Sequence, residues 1–403
     1  MNIAVLAWRY AWARPLDAAL NVLLLALGVG TICLVLLFSS QVEKRLLRDA
    51  EGIDLVVGAK GSPMQLILAG VYHLDAPTGN IPLAEAEKLG ANRMVKQAIP
   101  LALGDSYRGF RIVGAPHAYV DLYGGRLAAG RLWQAPMQAV LGAEVAHATG
   151  LAVGAKFVGA HGVGEATGDA HDEHPFEVVG VLAPSGTVLD RVILTSIESV
   201  WVMHEGHEAA KPAKPAKPAS EPAREVTVVL LRYATPLAAA TLPRFINDRT
   251  GMQAASPALE SARLLRIVGV GIEVMRVLGF ALVAVAALGV FVALYNAMRE
   301  RRYDLAVMRA LGASPGKLFA VVLLESIMLA GIGAVLGLAI GHAAAEGVGA
   351  WMAANHQPPI TGAVLLAEEG WLLALAAGAG VLAAALPSWS AYRTEVATVL
   401  AGG

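Results

Sequence analysis

Cysteine is almost absent: Cys33 is alone among 403 residues, so the chain cannot close an internal disulfide. Cys33 lies inside an apolar run and reads as lipid-facing or bundle packing. Charge is scarce too. Asp, Glu, Lys and Arg make up 16% of the chain, against roughly a quarter in soluble domains. With 31 basic and 32 acidic residues the net charge is −1, which argues against a nucleic-acid partner. A phosphate-binding Walker A loop is missing. The nearest string, Gly312-Ala313-Ser314-Pro315-Gly316-Lys317-Leu318, has the wrong spacing and no hydroxyl after the lysine. The letters Gly-x-Ser-x-Gly occur at Gly312-Ala313-Ser314-Pro315-Gly316, but between two apolar spans and not on a strand-to-helix turn, so they make no nucleophile elbow, and no carboxylate pair stands at a catalytic spacing. The chain is not expected to be an enzyme.

What fills the space is apolar: 56% of the residues. Four runs reach the roughly 20 apolar residues that a bilayer span requires, at 18–38, 277–298, 318–345 and 370–387. The first is longer than the apolar stretch of a signal peptide, follows an amphipathic piece carrying Trp8, Tyr10 and Trp12, and lacks a small-x-small cleavage site before its basic exit. It is expected to stay as an anchor. Lys and Arg in short loops set orientation. Arg9 and Arg14 precede the first span, Arg299, Arg301, Arg302, Arg309 and Lys317 lie between the second and third, and Arg393 follows the fourth, whereas 346–369 holds no Lys or Arg. Both termini (1–17 and 388–403) and segment 299–317 are therefore placed in the cytoplasm, with segment 39–276 and the short loop 346–369 outside it.

The outside segment is domain-sized, roughly 230 residues. It opens and closes with helical continuations of the spans, 39–50 and 257–276, which would form a stalk. Between them, 110–114, 176–182 and 226–233 read as strands. A strand at 139–142 leads into a short helix ending at Gly150; 83–89 is helical; 236–250 is a helix expected to close at Gly251. This is an α+β domain. The Lys-Pro-Ala run 211–220 reads as a stiff, solvated linker.

The most informative segment is the charged run between the second and third spans, Glu300-Arg301-Arg302-Tyr303-Asp304-Leu305-Ala306-Val307-Met308-Arg309-Ala310-Leu311-Gly312-Ala313-Ser314. Such charge cannot sit in lipid and must meet headgroups, water or protein. The run resembles the cytoplasmic loop of the MacB/FtsX/LolC-LolE family of ABC permeases, in which a basic-acidic stretch leads to Arg-Ala-Leu-Gly-Ala and a small hydroxyl residue. The third span, with Glu325 followed by Gly331, Gly333, Gly337 and Gly341, is similar to that family's Glu and glycine ladder. Pro387, Ala391 and Arg393 resemble its C-terminal signature, although Glu395-Val396 replaces an acidic-Pro pair. Gly130-Arg131, Val140-Leu141-Gly142, Gly154 and Phe176–Val181 are similar to the MacB periplasmic core.

The resemblance implies an integral membrane protein of the bacterial inner membrane: four helices with a large α+β periplasmic domain inserted after the first. It implies a permease subunit that docks a separate cytoplasmic ABC ATPase, the holder of ATP and Mg²⁺. Docking would run through Glu300, Arg301, Asp304, Arg309, Leu311, Gly312, Ala313 and Ser314, with movement passed along 43–50 and 259–276 to the periplasmic domain. A second permease chain, most simply a homodimer, is implied, and a periplasmic adaptor or outer-membrane partner would fit export. A regulator of a periplasmic partner, as FtsX-like proteins can be, shares every membrane feature. Glu325, Gly333, Gly337 and Gly341 suit packing between helices, within one chain or across a dimer.

Eight of the ten histidines lie in 39–276. His161, His171 and His174 cluster among acidic residues, as do His204 and His207 beside the linker. The pattern reads first as a solvated polar loop; the alternative is metal binding, since imidazoles and carboxylates at such spacings can hold zinc or copper.

Overall fold

The computed structural model describes residues 3–161, 175–209, 224–300, 307–355 and 357–392. The chain divides into two compact units, 1–42 with 267–403, and 43–266.

Four helices in the chain are long and apolar enough to cross a membrane: Pro15–Asp49, Pro257–Glu300, Pro315–Ala354 and Glu369–Trp389. They are called here the first to fourth membrane helices. A short amphipathic helix, Ile3–Ala11, precedes them and packs on the third. The second membrane helix has 44 residues, about 66 Å at 1.5 Å per residue, twice the roughly 30 Å hydrocarbon core. The third runs beyond its apolar stretch: Glu346-Gly347-Val348-Gly349-Ala350 stays helical to Ala354, so the outer connection is shorter than 346–369. Charge ends a hydropathy run, but Ala, Glu and Met keep good helix propensity.

Within this unit the first helix lies between the second and the third. Gly28 faces Gly279 and Val283 of the second helix, while Leu25, Val29 and Cys33 face the glycines of the third. The fourth packs on the third, where Gly380 meets Ala330 and Ser326, and Ser326 donates a hydrogen bond of 2.7 Å to the Gly380 carbonyl.

The other unit is built on a mixed sheet. Its strands in chain order are β1 (Leu55–Ala59), β2 (Ile81–Pro82), β3 (Val95–Tyr107), β4 (Phe110–Gly114), β5 (Leu127–Gly130), β6 (Gln138–Leu141), β7 (Lys156–Phe157) and β8 (Ala160–His161). There follow β9 (Phe176–Leu182), β10 (Val192–Thr195), β11 (Glu225–Val226), β12 (Val228–Tyr233) and β13 (Met252–Ala255). The main order is β13-β1-β12-β3-β4-β10-β6-β9-β5. The pairs β10–β4 and β6–β9 are parallel. The long strand β3 joins two cores. One holds Leu55, Val57, Val229 and Leu231; the other holds Ile112, Leu141, Phe176 and Ile193.

Local chemistry closes the elements. The helix Ala143–Thr149 ends at Gly150, whose φ of 71° is left-handed, a conformation glycine adopts without strain. The helix Pro236–Arg249 does not close on Gly251. Thr250 stops it in extended conformation, its hydroxyl donating to the Ile246 carbonyl at 2.7 Å and accepting from the Met252 N–H at 3.1 Å. The expected strand 226–233 is broken at Thr227, because β11 leaves the main sheet to pair with β2.

Candidate functional site

The charged run is described from residue 307 onward, and at Glu300; Arg301 and Asp304 lie outside the described residues. Residues 307–310 are helical and end in a turn dictated by Gly312. The Gly312 N–H donates to the Arg309 carbonyl at 3.0 Å and the Ala313 N–H to that of Met308 at 2.9 Å. These are the two bonds of a Schellman closure, which needs a left-handed residue at its centre. Gly312 supplies it with φ 96°. Ser314 then turns extended, with φ −69° and ψ 149°, and Pro315 opens the third membrane helix, where a missing N–H costs nothing. Arg-Ala-Leu-Gly-Ala-Ser-Pro is thus a helix stop followed at once by a helix start.

The turn sorts its apolar residues by direction. Met308 packs against the cluster formed by Val290, Leu294, Met298, Leu318 and Val322. Leu311, three residues on, is 83% exposed, with Arg309 half-buried beside it in sequence. Glu300, at the end of the second membrane helix, forms an ion pair with Arg14, just before the first. That pair joins residues 286 apart in sequence and was invisible in the local pattern.

Glu325 is buried in the third helix at 6% exposure. It shares with Tyr10, Arg14 and Asn21 a small cavity of about 30 Å³, enough for a water molecule. The glycine ladder is used within the chain. A Cβ on Gly333 would stand 2.9 Å from Leu25, one on Gly337 2.7 Å from Val29, and one on Gly341 2.7 Å from Cys33. Close helix approach of this kind is what small residues in membrane helices allow.

In the other unit, the end of the first membrane helix and the start of the second are fastened to the sheet domain. The Tyr72 hydroxyl donates to the Leu46 carbonyl at 3.2 Å and lies 2.5 Å from the Ser261 hydroxyl, so one buried phenol links the end of the first membrane helix to the start of the second. Asp49 pairs with Arg191 at 3.5 Å, both nearly out of solvent. The Tyr123 hydroxyl donates to the Asp49 carbonyl and Arg48 to that of Gly186. The histidines proposed from sequence are not assembled into a described site. His171 and His174 lie outside the described residues, and so do the side chains of His161, His204 and His207, whose backbones belong to β8 and the helix Ile197–Ala209.

Two family models cover this architecture. The MacB-like periplasmic core domain matches residues 18–239, and the FtsX-like permease C-terminal domain matches 276–396. No curated protein sequence matches the chain. Among solved structures, the periplasmic region of MacB from Actinobacillus actinomycetemcomitans is similar at 12% identity and a TM-score of 0.34, over 54% of this chain and 95% of that one. The extracellular domain of the noncanonic ABC-type transporter YknZ from Gram-positive bacteria is similar at 14% identity and a TM-score of 0.30, over 51% and 99%. Four membrane helices with a MacB-type domain between the first and second, and an FtsX-type half after it, place the chain in the MacB/FtsX-like family of ABC transporter permeases.

Proposed function

We propose that this chain is the membrane subunit of an ABC system in which a separate cytoplasmic ATPase docks on the turn between the second and third membrane helices. ATP-driven movement of that turn would pass along the long second helix to the periplasmic domain, driving export or extraction of a substrate from the cell envelope. The reading places the protein in a bacterial inner membrane with both termini in the cytoplasm, working with a second permease chain. The observation that carries it is the turn itself. Its backbone is fixed by Gly312 and its underside is anchored by Met308, yet it presents Leu311 almost fully exposed. A purely topological anchor has no use for an exposed leucine held on a rigid turn among charges. The stalk contacts through Tyr72 and Asp49 support the second step, because a helix meant to move a domain must be fixed to it.

The test is co-purification with an ABC ATPase encoded beside this chain. The wild-type chain should retain the ATPase, and Arg309→Glu/Leu311→Asp should lose it while remaining folded. An ATPase that binds both equally, or neither although both are folded, would remove the docking role.

A further inference from the structure

Far from the turn at Gly312, three side chains of metal-ligating type from three membrane helices converge: Cys33 of the first, His342 of the third and Glu369 at the start of the fourth. One ligand atom from each lies within 4.8 Å of the others. Cys33 is fully buried and Glu369 is 7% exposed. His342 is 27 residues beyond Pro315, roughly 40 Å along the helix, so the trio sits at the opposite end of the bundle from the turn.

The hydrogen bonds around it assign the lone pairs. His342 Nδ1 is 2.6 Å from the Gly362 carbonyl, which can only accept, so Nδ1 carries the proton and donates. In the neutral ring Nε2 is then an acceptor, and it faces another acceptor, Glu369 Oε2, at 3.2 Å. Two acceptors in contact require a cation, either a second proton on the ring, which makes an imidazolium–carboxylate pair, or a metal ion. The other carboxylate oxygen, Oε1, accepts from the Leu366 N–H at 2.8 Å. A carbonyl on the far imidazole nitrogen and an N–H on the carboxylate are the contacts that orient metal ligands. The loop that provides the carbonyl is itself pinned. Gln41 exchanges two hydrogen bonds with the Thr361 backbone, and Glu346 accepts from the Thr361 hydroxyl and the Gly362 N–H.

We propose that Cys33 Sγ, His342 Nε2 and a Glu369 oxygen form a zinc site that ties together the first, third and fourth membrane helices. A thiolate with an imidazole favours Zn²⁺ over the oxygen-seeking Mg²⁺ or Ca²⁺. With Zn–S about 2.3 Å and Zn–N about 2.0 Å, tetrahedral ligands stand roughly 3.5 Å apart; Nε2 and Oε2 already stand at that spacing at 3.2 Å, so only the Cys33 sulfur has to close in, by about 1 Å at most. Binding releases the Cys33 thiol proton to water, and the fourth position remains for water. The clamp would make the outer ends of the helices resist separation, so zinc would regulate how far the bundle moves.

Because Cys33 is the only thiol in the chain, sulfur ligation can be read without ambiguity. The full chain in lipid nanodiscs is equilibrated with Co²⁺ and its absorption recorded. A thiolate-to-cobalt charge-transfer band that saturates at one metal per chain, is displaced by Zn²⁺, and is absent in Cys33→Ser supports the site. Glu369→Gln should weaken the apparent affinity at least about tenfold. Histidines of the periplasmic unit could bind cobalt only without that band. Cobalt binding with no sulfur band in the wild-type chain, or no binding at all, overturns the proposal and leaves an imidazolium–carboxylate pair beside a packed thiol; this readout requires no variant to fold.

Discussion

The two units are held together in opposite ways. In the membrane unit the tightest helix contacts are made by residues with little or no side chain: Gly28 against Gly279, and Gly333, Gly337 and Gly341 against the first helix. In the periplasmic unit the sheet buries large aliphatic side chains, with Ile193 and Leu194 of β10 fully enclosed. The difference follows from the solvent. Lipid gives no hydrophobic reward for bringing apolar helices together, so they associate through close backbone approach and packing. Water rewards each buried methylene by roughly 0.8 kcal/mol. One unit should therefore be sensitive to atoms added and the other to atoms removed.

A crossed pair of substitutions tests this with the largest expected effects. Ile193→Ala removes three carbons from a closed core and should cost the periplasmic unit about 4 kcal/mol. Gly337→Ala places a Cβ 2.7 Å from Val29 and 2.8 Å from the Ala26 carbonyl, and should cost the membrane unit about 1–3 kcal/mol by overpacking. Gly331→Ala is the control, since nothing lies within 4 Å of its added carbon, and it should be neutral or slightly stabilising. Denaturation curves of each unit within the full chain would decide. If Gly331→Ala and Gly337→Ala behave alike, close approach is not what holds the first and third helices.

How much of this was legible in the sequence follows the same division. Strands β4 and β9 coincide with runs of alternating or Val-rich residues, and Gly150 announced its helix end, because these signals are local. The four membrane helices were legible from apolar length alone. Partners distant in sequence were not. The glycine ladder gave no sign of which helix it faces, nothing near Glu300 points to Arg14, and Cys33, His342 and Glu369 lie on three separate helices. Thr250 closing a helix in place of Gly251 was missed because its hydroxyl does what the left-handed glycine was expected to do. Of the residues proposed to dock an ATPase, Arg309, Leu311 and Gly312 form a defined turn, and Arg301 and Asp304 lie outside the described residues.

A second contrast concerns pH. His73 is buried in the periplasmic unit with Nε2 2.8 Å from the Tyr119 hydroxyl. Burial, and then the positive charge of Arg111, hold its imidazole down to about 3. The unfolded chain protonates a histidine near pH 6.5 while the folded one does not. The unfolded state therefore binds more protons between about pH 6.5 and 3, and stability falls as pH falls through that window. Between pH 7 and 5 the loss should be about 2 kcal/mol. Urea midpoints at the two pH values should show His73→Gln, though less stable at pH 7, losing correspondingly less. Equal losses in both chains would mean that His73 opens to water before the unit unfolds.

The smallest effect is expected at the ion pair Arg14–Glu300, which looks like a fastening between the first and second membrane helices. Its side chains are 33% and 64% exposed, and exposed pairs add little because water and salt screen them. Glu300→Gln should leave the melting of the membrane unit unchanged within measurement, followed by tryptophan fluorescence at low and high salt. The glycine contacts would then carry the bundle, and the pair would be free to exchange partners at the proposed docking face. A drop as large as that of Gly337→Ala, diminished at high salt, would reverse that ranking: charge at the helix ends, rather than backbone approach in the middle, would then hold the helices in register.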